Sequence, residues 1–339
     1  MKNFDSSVWR FGANFYPSNA INQLEMWQEE TFSPELIDRE LGFAEKIGMN
    51  IMRVYLHDLV FEADKEGFFR RIDQYLEIAS KHGIGTMFTI FDDCWKSEFS
   101  LGKQPDPIPN THNSGWVQSP GNRAADDLSQ RPRLENYVKS LLDRFRNDKR
   151  ILLWDLYNEP GNGVTGEHFA NGDVLRCNLS LPLLKDVFKW AREVNPDQPL
   201  TAAPWIFTEN FSELNRFMFE NSDVVTYHAY CQPDRFTERL DMVKYIADGR
   251  PVICSEYVAR SAGCTLIDCL PILRKNNVGA INWGLVSGKT QTIYPWASLV
   301  GNVPEGIPFH DIFNADGTLL IPEEQKIFDS IKADAQSNA

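Results

Sequence analysis

No stretch of the 339-residue sequence approaches eighteen uncharged apolar residues, so no membrane-spanning helix is expected. A basic surplus is missing too. The chain has 34 Lys and Arg against 47 Asp and Glu, a formal charge of −13, which argues against a nucleic-acid or anionic-membrane partner. The six cysteines, Cys94, Cys177, Cys231, Cys254, Cys264 and Cys269, form no CxxC pair, so no zinc site is expected. Cys254 ends the apolar run Pro251-Val252-Ile253-Cys254 and reads as a buried thiol. A chain of this length needs no disulfide, which favours reduced cysteines and a cytoplasmic location. The opening MKNFDSSVWRFGANFY has no apolar h-region, so no signal peptide is expected. A secreted or periplasmic location would require a leader already removed.

What is present is ordinary for a globular protein: 42% hydrophobic and 24% charged residues. Short apolar runs alternate eight times with helical patterns. The predicted strands are Phe11–Tyr16, Asn50–Leu56, Gly85–Phe91, Ile151–Tyr157, Leu200–Trp205, Val224–Tyr230, Val252–Tyr257 and Ala280–Leu285. Their near-continuous apolar character suits parallel strands buried on both faces. The first helix opens at Ser33-Pro34-Glu35, with Ser as N-cap and Pro in the first turn. The next runs from Phe68 to Lys81 and stops before Gly83. Further helices are predicted at Leu134–Asn147, Pro182–Val194, Thr208–Phe219, Arg235–Ala247, Thr265–Lys275 and Glu323–Ala333.

Eight strand–helix units imply an α/β fold, and the count of eight favours a closed (β/α)8 TIM barrel. An open doubly wound sheet would carry a glycine-rich phosphate loop after the first strand, and Gly12-Ala13-Asn14-Phe15 is none. The whole chain reads as one catalytic domain. Long connections follow the third strand (about 92–131) and the eighth (about 286–321). Both leave strand C-termini, the end where barrels build active sites, and long ordered loops are usually functional.

Two acids stand out. The fourth strand ends Tyr157-Asn158-Glu159-Pro160 and the seventh ends Cys254-Ser255-Glu256-Tyr257. In a closed eight-stranded barrel these strands face each other across the mouth, so the two glutamates can share one pocket. That arrangement suits glycoside cleavage. A protonated carboxyl would protonate the leaving oxygen while an ionised one attacks the anomeric carbon. A separation of roughly 5–5.5 Å gives double displacement with retention. Nine tryptophans are compatible with sugar stacking.

With these motifs in register, the sequence resembles the glycoside hydrolases of clan A, and most closely family 5. The resemblance implies Glu159 as acid/base and Glu256 as nucleophile. It implies that Arg53 hydrogen-bonds the nucleophile and that His228-Ala229-Tyr230 lies on the sixth strand. Trp283 would floor the cleavage subsite, followed by a non-proline cis peptide. Physically, Arg53 would keep Glu256 ionised and Tyr230 would donate to the same carboxylate. Asn158 would reach the sugar 2-hydroxyl, and His228 the acid/base or a substrate hydroxyl.

One departure is visible. Family 5 members commonly have His near the end of strand three, where this chain reads Phe91-Asp92-Asp93-Cys94-Trp95. Asp92 or Asp93 would then grip sugar hydroxyls. Trp95, Trp116, Trp205 and Trp296 are further candidate sugar platforms or loop anchors.

The expected partner is an oligosaccharide or polysaccharide, with no metal and no organic cofactor. A metal-dependent barrel hydrolase would want His-x-His on the first strand, and only six His exist. A Schiff-base aldolase would want Lys within a strand, and none of the eight carries one. A transglycosylase would share every feature above. A non-catalytic carbohydrate-binding barrel would lack one of the two glutamates.

Overall fold

The computed structural model describes residues 2, 4–162, 174–302 and 306–337. Eight parallel strands form one sheet. They are β1 (Phe11–Asn14), β2 (Ile51–Tyr55), β3 (Gly85–Asp92) and β4 (Ile151–Asn158), then β5 (Leu200–Ala203), β6 (Val225–His228), β7 (Val252–Glu256) and β8 (Gly279–Asn282). The sheet order is β5-β4-β3-β2-β1-β8-β7-β6. Its two ends meet at a seam. There the Asp223 N–H donates to the Leu200 carbonyl at 2.8 Å, and the His228 N–H to that of Pro204 at 3.0 Å. The result is the expected (β/α)8 barrel.

Each strand begins within one residue of its apolar run, but β1, β5, β6 and β8 stop early. Phe15, Tyr16 and Ala229 lie beyond those ends and are still buried, because the long loops cover the mouth. The apolar runs therefore report burial at the rim as well as pairing.

The helices are α1 (Gln23–Trp27), α2 (Pro34–Lys46), α3 (Asp58–Ala63), α4 (Lys65–Lys81), α5 (Asn122–Asp126) and α6 (Arg131–Arg144). There follow α7 (Val174–Val194), α8 (Ser212–Asn221), α9 (Pro233–Ala247), α10 (Leu266–Lys275) and α11 (Gln325–Ser337). The short α1, α3 and α5 were not expected, being too brief to show a helical period. Helix α2 has Pro34 in its first turn as expected, but Ser33 does not cap it. Its hydroxyl instead donates to the Thr31 carbonyl and accepts from Asn19 Nδ2. Helix α4 starts earlier than expected because the Asp64 carboxylate accepts the Gly67 N–H at 2.9 Å. It ends at Lys81, and the chain turns away at Gly83, whose φ of 68° suits glycine.

Pro182 was expected at the start of α7 and lies inside it instead. A proline removes one backbone donor. Here the turn before it is anchored independently, by a hydrogen bond from Ser180 Oγ to Asp93 Oδ2.

The barrel interior is layered. Ile51, Met87, Leu153, Val224, Ile253 and Ile281 form an apolar plug towards the N-terminal end of the strands. Each such side chain contributes roughly 1.5–3 kcal/mol by leaving water. Two residues further along β2 and β4 the same inward face carries Arg53 and Asp155. Register shifts then occur between Asp155 and Asn158 and between Tyr227 and His228. Such slips change which side chains face inward. They turn Asn158 and Glu256 into the mouth where strict alternation would point Tyr157 and Ser255.

Five cysteines are free thiols, and Cys177 lies outside the described side chains. No helix among the described residues is long and apolar enough to cross a membrane.

Candidate active site

Arg53 is fully buried and is the hub of the site. Its Nε and Nη2 both donate to Asp155 Oδ2, at 2.9 and 2.5 Å. Nη2 also donates to Asn158 Oδ1 at 2.6 Å, and Nη1 to Asn14 Oδ1 at 2.8 Å and Glu256 Oε1 at 2.7 Å. A buried guanidinium requires this density of acceptors, because an unpaired charge away from water is costly.

Glu256 is 5% exposed. Oε1 accepts from Arg53 and from the Tyr55 hydroxyl at 2.9 Å, and Oε2 from the Tyr230 hydroxyl at 2.8 Å. Burial raises its pKa and so does nearby Glu159, while His228, Arg53 and the Tyr230 hydrogen bond pull it down. Three donors on one carboxylate favour its charged form.

Glu159 is 7% exposed and has a positive φ of 45°, rare for a residue with a Cβ. Its Oε1 lies 2.5 Å from His228 Nδ1. Oε2 accepts from Asn162 Nδ2 at 2.5 Å and from the Cys94 thiol at 3.1 Å. Burial raises its pKa, opposed by Cys94, Asn162 and Arg53. Burial pushes His228 down to about 4, so it is neutral near pH 7. One ligand-capable atom from each of Glu159, His228 and Glu256 lies within 4.8 Å of the other two. This trio has the donor types for a cation, but the Arg53 guanidinium already supplies positive charge at Glu256.

Both glutamates line a cavity of about 200 Å³ at the C-terminal rim. Trp95, Trp205, Trp283 and Trp296 line it as well, with Tyr230, Asn158, His112, Asn113 and His310. Trp296 packs edge-on against Tyr230, with ring centroids 5.2 Å apart. The loops after β3 and β8 thus both reach the site.

Several expected contacts fall elsewhere. Asp92 lies behind the cavity wall. It accepts from the Cys94 N–H and Asn158 Nδ2 on Oδ1, and from Trp116 Nε1 and Gln23 Nε2 on Oδ2. Asp93 accepts from the Tyr157 hydroxyl, the Gly161 N–H and the Ser180 hydroxyl, tying the segment after β4 to β3. Neither acid lines the cavity, so neither is placed to grip a sugar. Trp116 is 1% exposed and packs edge-on against Tyr16, Tyr55 and Trp283, as a loop anchor. Asn158 does line the cavity, but its amide holds Arg53, Asp92 and the Cys94 sulfur at 3.3 Å.

The expected cis peptide after Trp283 is absent. The one cis bond among the described residues is Ser119–Pro120. The chain turns instead through Gly284, at φ 80°, where a Cβ would come within 2.4 Å of Asp311 Oδ1.

No family model matches the chain. The fold is similar to GH5_18 from Streptomyces cattleya, solved in complex with Manβ1-4GlcNAc. That match has a TM-score of 0.68 at 13% identity and covers 96% of this chain and 80% of the other. The endo-1,4-β-D-mannanase of Thermotoga petrophila matches with a TM-score of 0.60 at 16% identity, covering 96% and 100%. The chain shares the (β/α)8 fold of these glycoside-cleaving proteins. The fold is also similar to that of the exo-β-1,4-mannosidase Op5Man5 from Opitutaceae bacterium strain TAV5, at a TM-score of 0.64 and 15% identity, covering 97% and 60%. In sequence, an alignment 280 positions long, covering 68% of this chain, is 21% identical to an endoglycoceramidase of Hydra vulgaris. The chain spans about half the length of that curated relative.

Sequence reasoning missed Tyr55, Asp155 and Asn14. All three point into the barrel, and Tyr55 and Asp155 sit two residues from Arg53 and Leu153. Period-two alternation along β2 and β4 would have found them. Cys94, His112, Asn113, Asn162 and His310 come from loops, where no period applies.

Proposed function

We propose that the protein is a retaining β-glycoside hydrolase acting on β-linked oligosaccharides. The observation that carries this reading is the pair of rim glutamates. Their oxygens approach within 4.8 Å, with Arg53 bound to one side of the pair only. Two carboxyls so close in a buried site do not both ionise readily. Arg53 and two tyrosine hydroxyls draw the charge to Glu256, which leaves the proton on Glu159.

In the first step Glu159 protonates the glycosidic oxygen while Glu256 attacks the anomeric carbon, forming a glycosyl ester and releasing the aglycone. In the second, the Glu159 carboxylate takes a proton from water, the water oxygen attacks the same carbon, and Glu256 leaves as carboxylate. Neither step calls for a metal or an organic cofactor. Neutral His228 orients Glu159 without adding a charge that would strip its proton. Trp283 and its aromatic neighbours give the apolar face of the sugar a surface.

A cavity of about 200 Å³ is small beside the roughly 300–1,000 Å³ usual for ligand pockets. It favours one sugar ring at a time, hence exo-action or short substrates. The mannose-containing ligand and the mannosidase among the similar folds make β-mannosides the first glycosides to assay, ahead of β-glucosides and β-galactosides.

Glu256→Ala is expected to abolish turnover of nitrophenyl β-glycosides. Glu159→Ala is expected to slow poor leaving groups most and to regain rate with azide. Wild-type rates in Glu256→Ala across that panel would overturn the reading.

A further inference from the structure

Asn113 lines the cavity at 1% exposure, yet neither its Oδ1 nor its Nδ2 has a partner in the protein. An unsatisfied buried amide costs roughly 1–3 kcal/mol per group, and native structures rarely leave both ends of one amide idle. Its backbone is fixed: φ is 48°, and its carbonyl accepts the Trp116 N–H at 3.1 Å. The side chain is therefore presented to the cavity by a rigid turn.

Two imidazoles line the same cavity. His112 Nδ1 lies 2.7 Å from the Tyr294 carbonyl, and His310 Nδ1 meets that of Val258. A carbonyl only accepts, so both Nδ1 atoms carry the proton. In the neutral ring each Nε2 is then a bare acceptor. The rings pack with centroids 5.2 Å apart. Trp205 Nε1, a donor on the same cavity, is also buried and unpartnered. The two acceptors pack against the aromatic lining, His112 with Trp95 and His310 with Trp296, and the idle amide lines the same cavity.

We propose that Asn113, flanked by His112 and His310, is the specificity element of this site and binds adjacent hydroxyls of one uncharged sugar ring. A vicinal diol presents a donor and an acceptor side by side, which matches the two ends of the amide. The imidazole acceptors complete hydroxyls whose protons point outward. This restores, from two loops, polar recognition that the Asp92–Asp93 segment does not supply. The inference rests on the glycosidase reading for its substrate class, and its test separates the two.

Binding of methyl β-mannoside, β-glucoside and β-galactoside is followed by tryptophan fluorescence, which needs no turnover. The wild type is compared with Asn113→Gly, which keeps the positive φ and deletes the amide, and with Asn113→Asp, which keeps the shape but loses the donors. The expected result is a roughly ten- to hundredfold weaker affinity in both for the preferred glycoside, with the Tm of Asn113→Gly no lower than that of the wild type. The wild type should also lose a similar factor on the monodeoxy analogue lacking the contacted hydroxyl, and Asn113→Gly should not. Equal affinities in wild type and Asn113→Gly, or the same deoxy penalty in both, would overturn the inference while leaving the glycosidase reading intact. Undiminished turnover in Glu256→Ala would overturn the glycosidase reading alone. Absence of binding to every glycoside would overturn both.

Discussion

Glu159 is held by three side chains of different kinds: the His228 imidazole, the Asn162 amide and the Cys94 thiol. The last two donate to Oε2, and donors to a carboxylate favour its ionised form. Both therefore work against the burial that raises the Glu159 pKa. Removing either should raise that pKa further. A general acid works while protonated, so the alkaline limb of the kcat/KM profile should move to higher pH in Cys94→Ala and in Asn162→Ala. The check is a pH–rate profile on a substrate with a poor leaving group. An alkaline limb that stays put or moves to lower pH contradicts this role. At this scale much of the site was legible. Arg53, His228, Tyr230 and both glutamates sit in or at the ends of strands, where position in the barrel fixes direction. Asp92 and Asp93 were misread because a sequence shows acids near the mouth but not the donors behind them. The tryptophan indole, amide and backbone groups that saturate Asp92 come from three separate segments.

Among the elements, β1 is the tightest fit. Gly12 pairs with Ile51 on β2, and a Cβ there would lie 1.6 Å from the Ile51 carbonyl oxygen. Backbone cannot yield as a flexible side chain can. Gly12→Ala should therefore cost at least the roughly 1–3 kcal/mol of an overpacked core, read as a lower urea midpoint. An unchanged midpoint would show that β1 and β2 are less closely joined than described. The strands were legible because burial on both faces makes them uniformly apolar. Their ends were not, since Phe15, Tyr16 and Ala229 continue the apolar character under the covering loops. The interior position of Pro182 was hidden for a related reason. A proline suits a helix start, and only the Ser180–Asp93 contact shows that an earlier turn is anchored.

Across the whole molecule, buried carboxyls set how stability varies with pH. Burial pushes Glu40, Asp92 and Asp311 up to about 7, from ordinary values of 4.5, 3.8 and 3.8. Folded, these groups hold protons that the unfolded chain has already released. Their contribution is full below the unfolded values and is lost as pH rises through about 7. His112, His228 and His310, which burial pushes down, act in the opposite sense as the unfolded imidazoles take up protons below about pH 6.5. The three carboxyls titrate across more of the window between about pH 5.5 and 8 and outweigh them. Asp58 acts in the same sense as the imidazoles, at lower pH. Burial pushes it up, but His57 and Arg133 hold it well below the usual carboxylate range, so its contribution fades in acid. The Tm should be higher at about pH 5.5 than at about pH 8, and should fall again below about pH 4. A Tm that climbs steadily from about pH 5.5 to 8 would contradict this balance. The barrel was legible from eight alternating units, and the acid pair from its two strand ends. The polar wall of His112, Asn113 and His310 was not, because it is assembled from loops more than 180 residues apart in the chain. The central claim, that Glu159 and Glu256 share one sugar-sized opening and divide the labour of a retaining cleavage, has a direct test. The protein is treated with 2,4-dinitrophenyl 2-deoxy-2-fluoro-β-glycosides of mannose, glucose and galactose, and its peptides are mapped by mass spectrometry. The expected result is one fluorosugar per chain, esterified to Glu256. A label on Glu159 or on any other residue would contradict it, as would steady turnover of natural-type glycosides with inversion at the anomeric carbon.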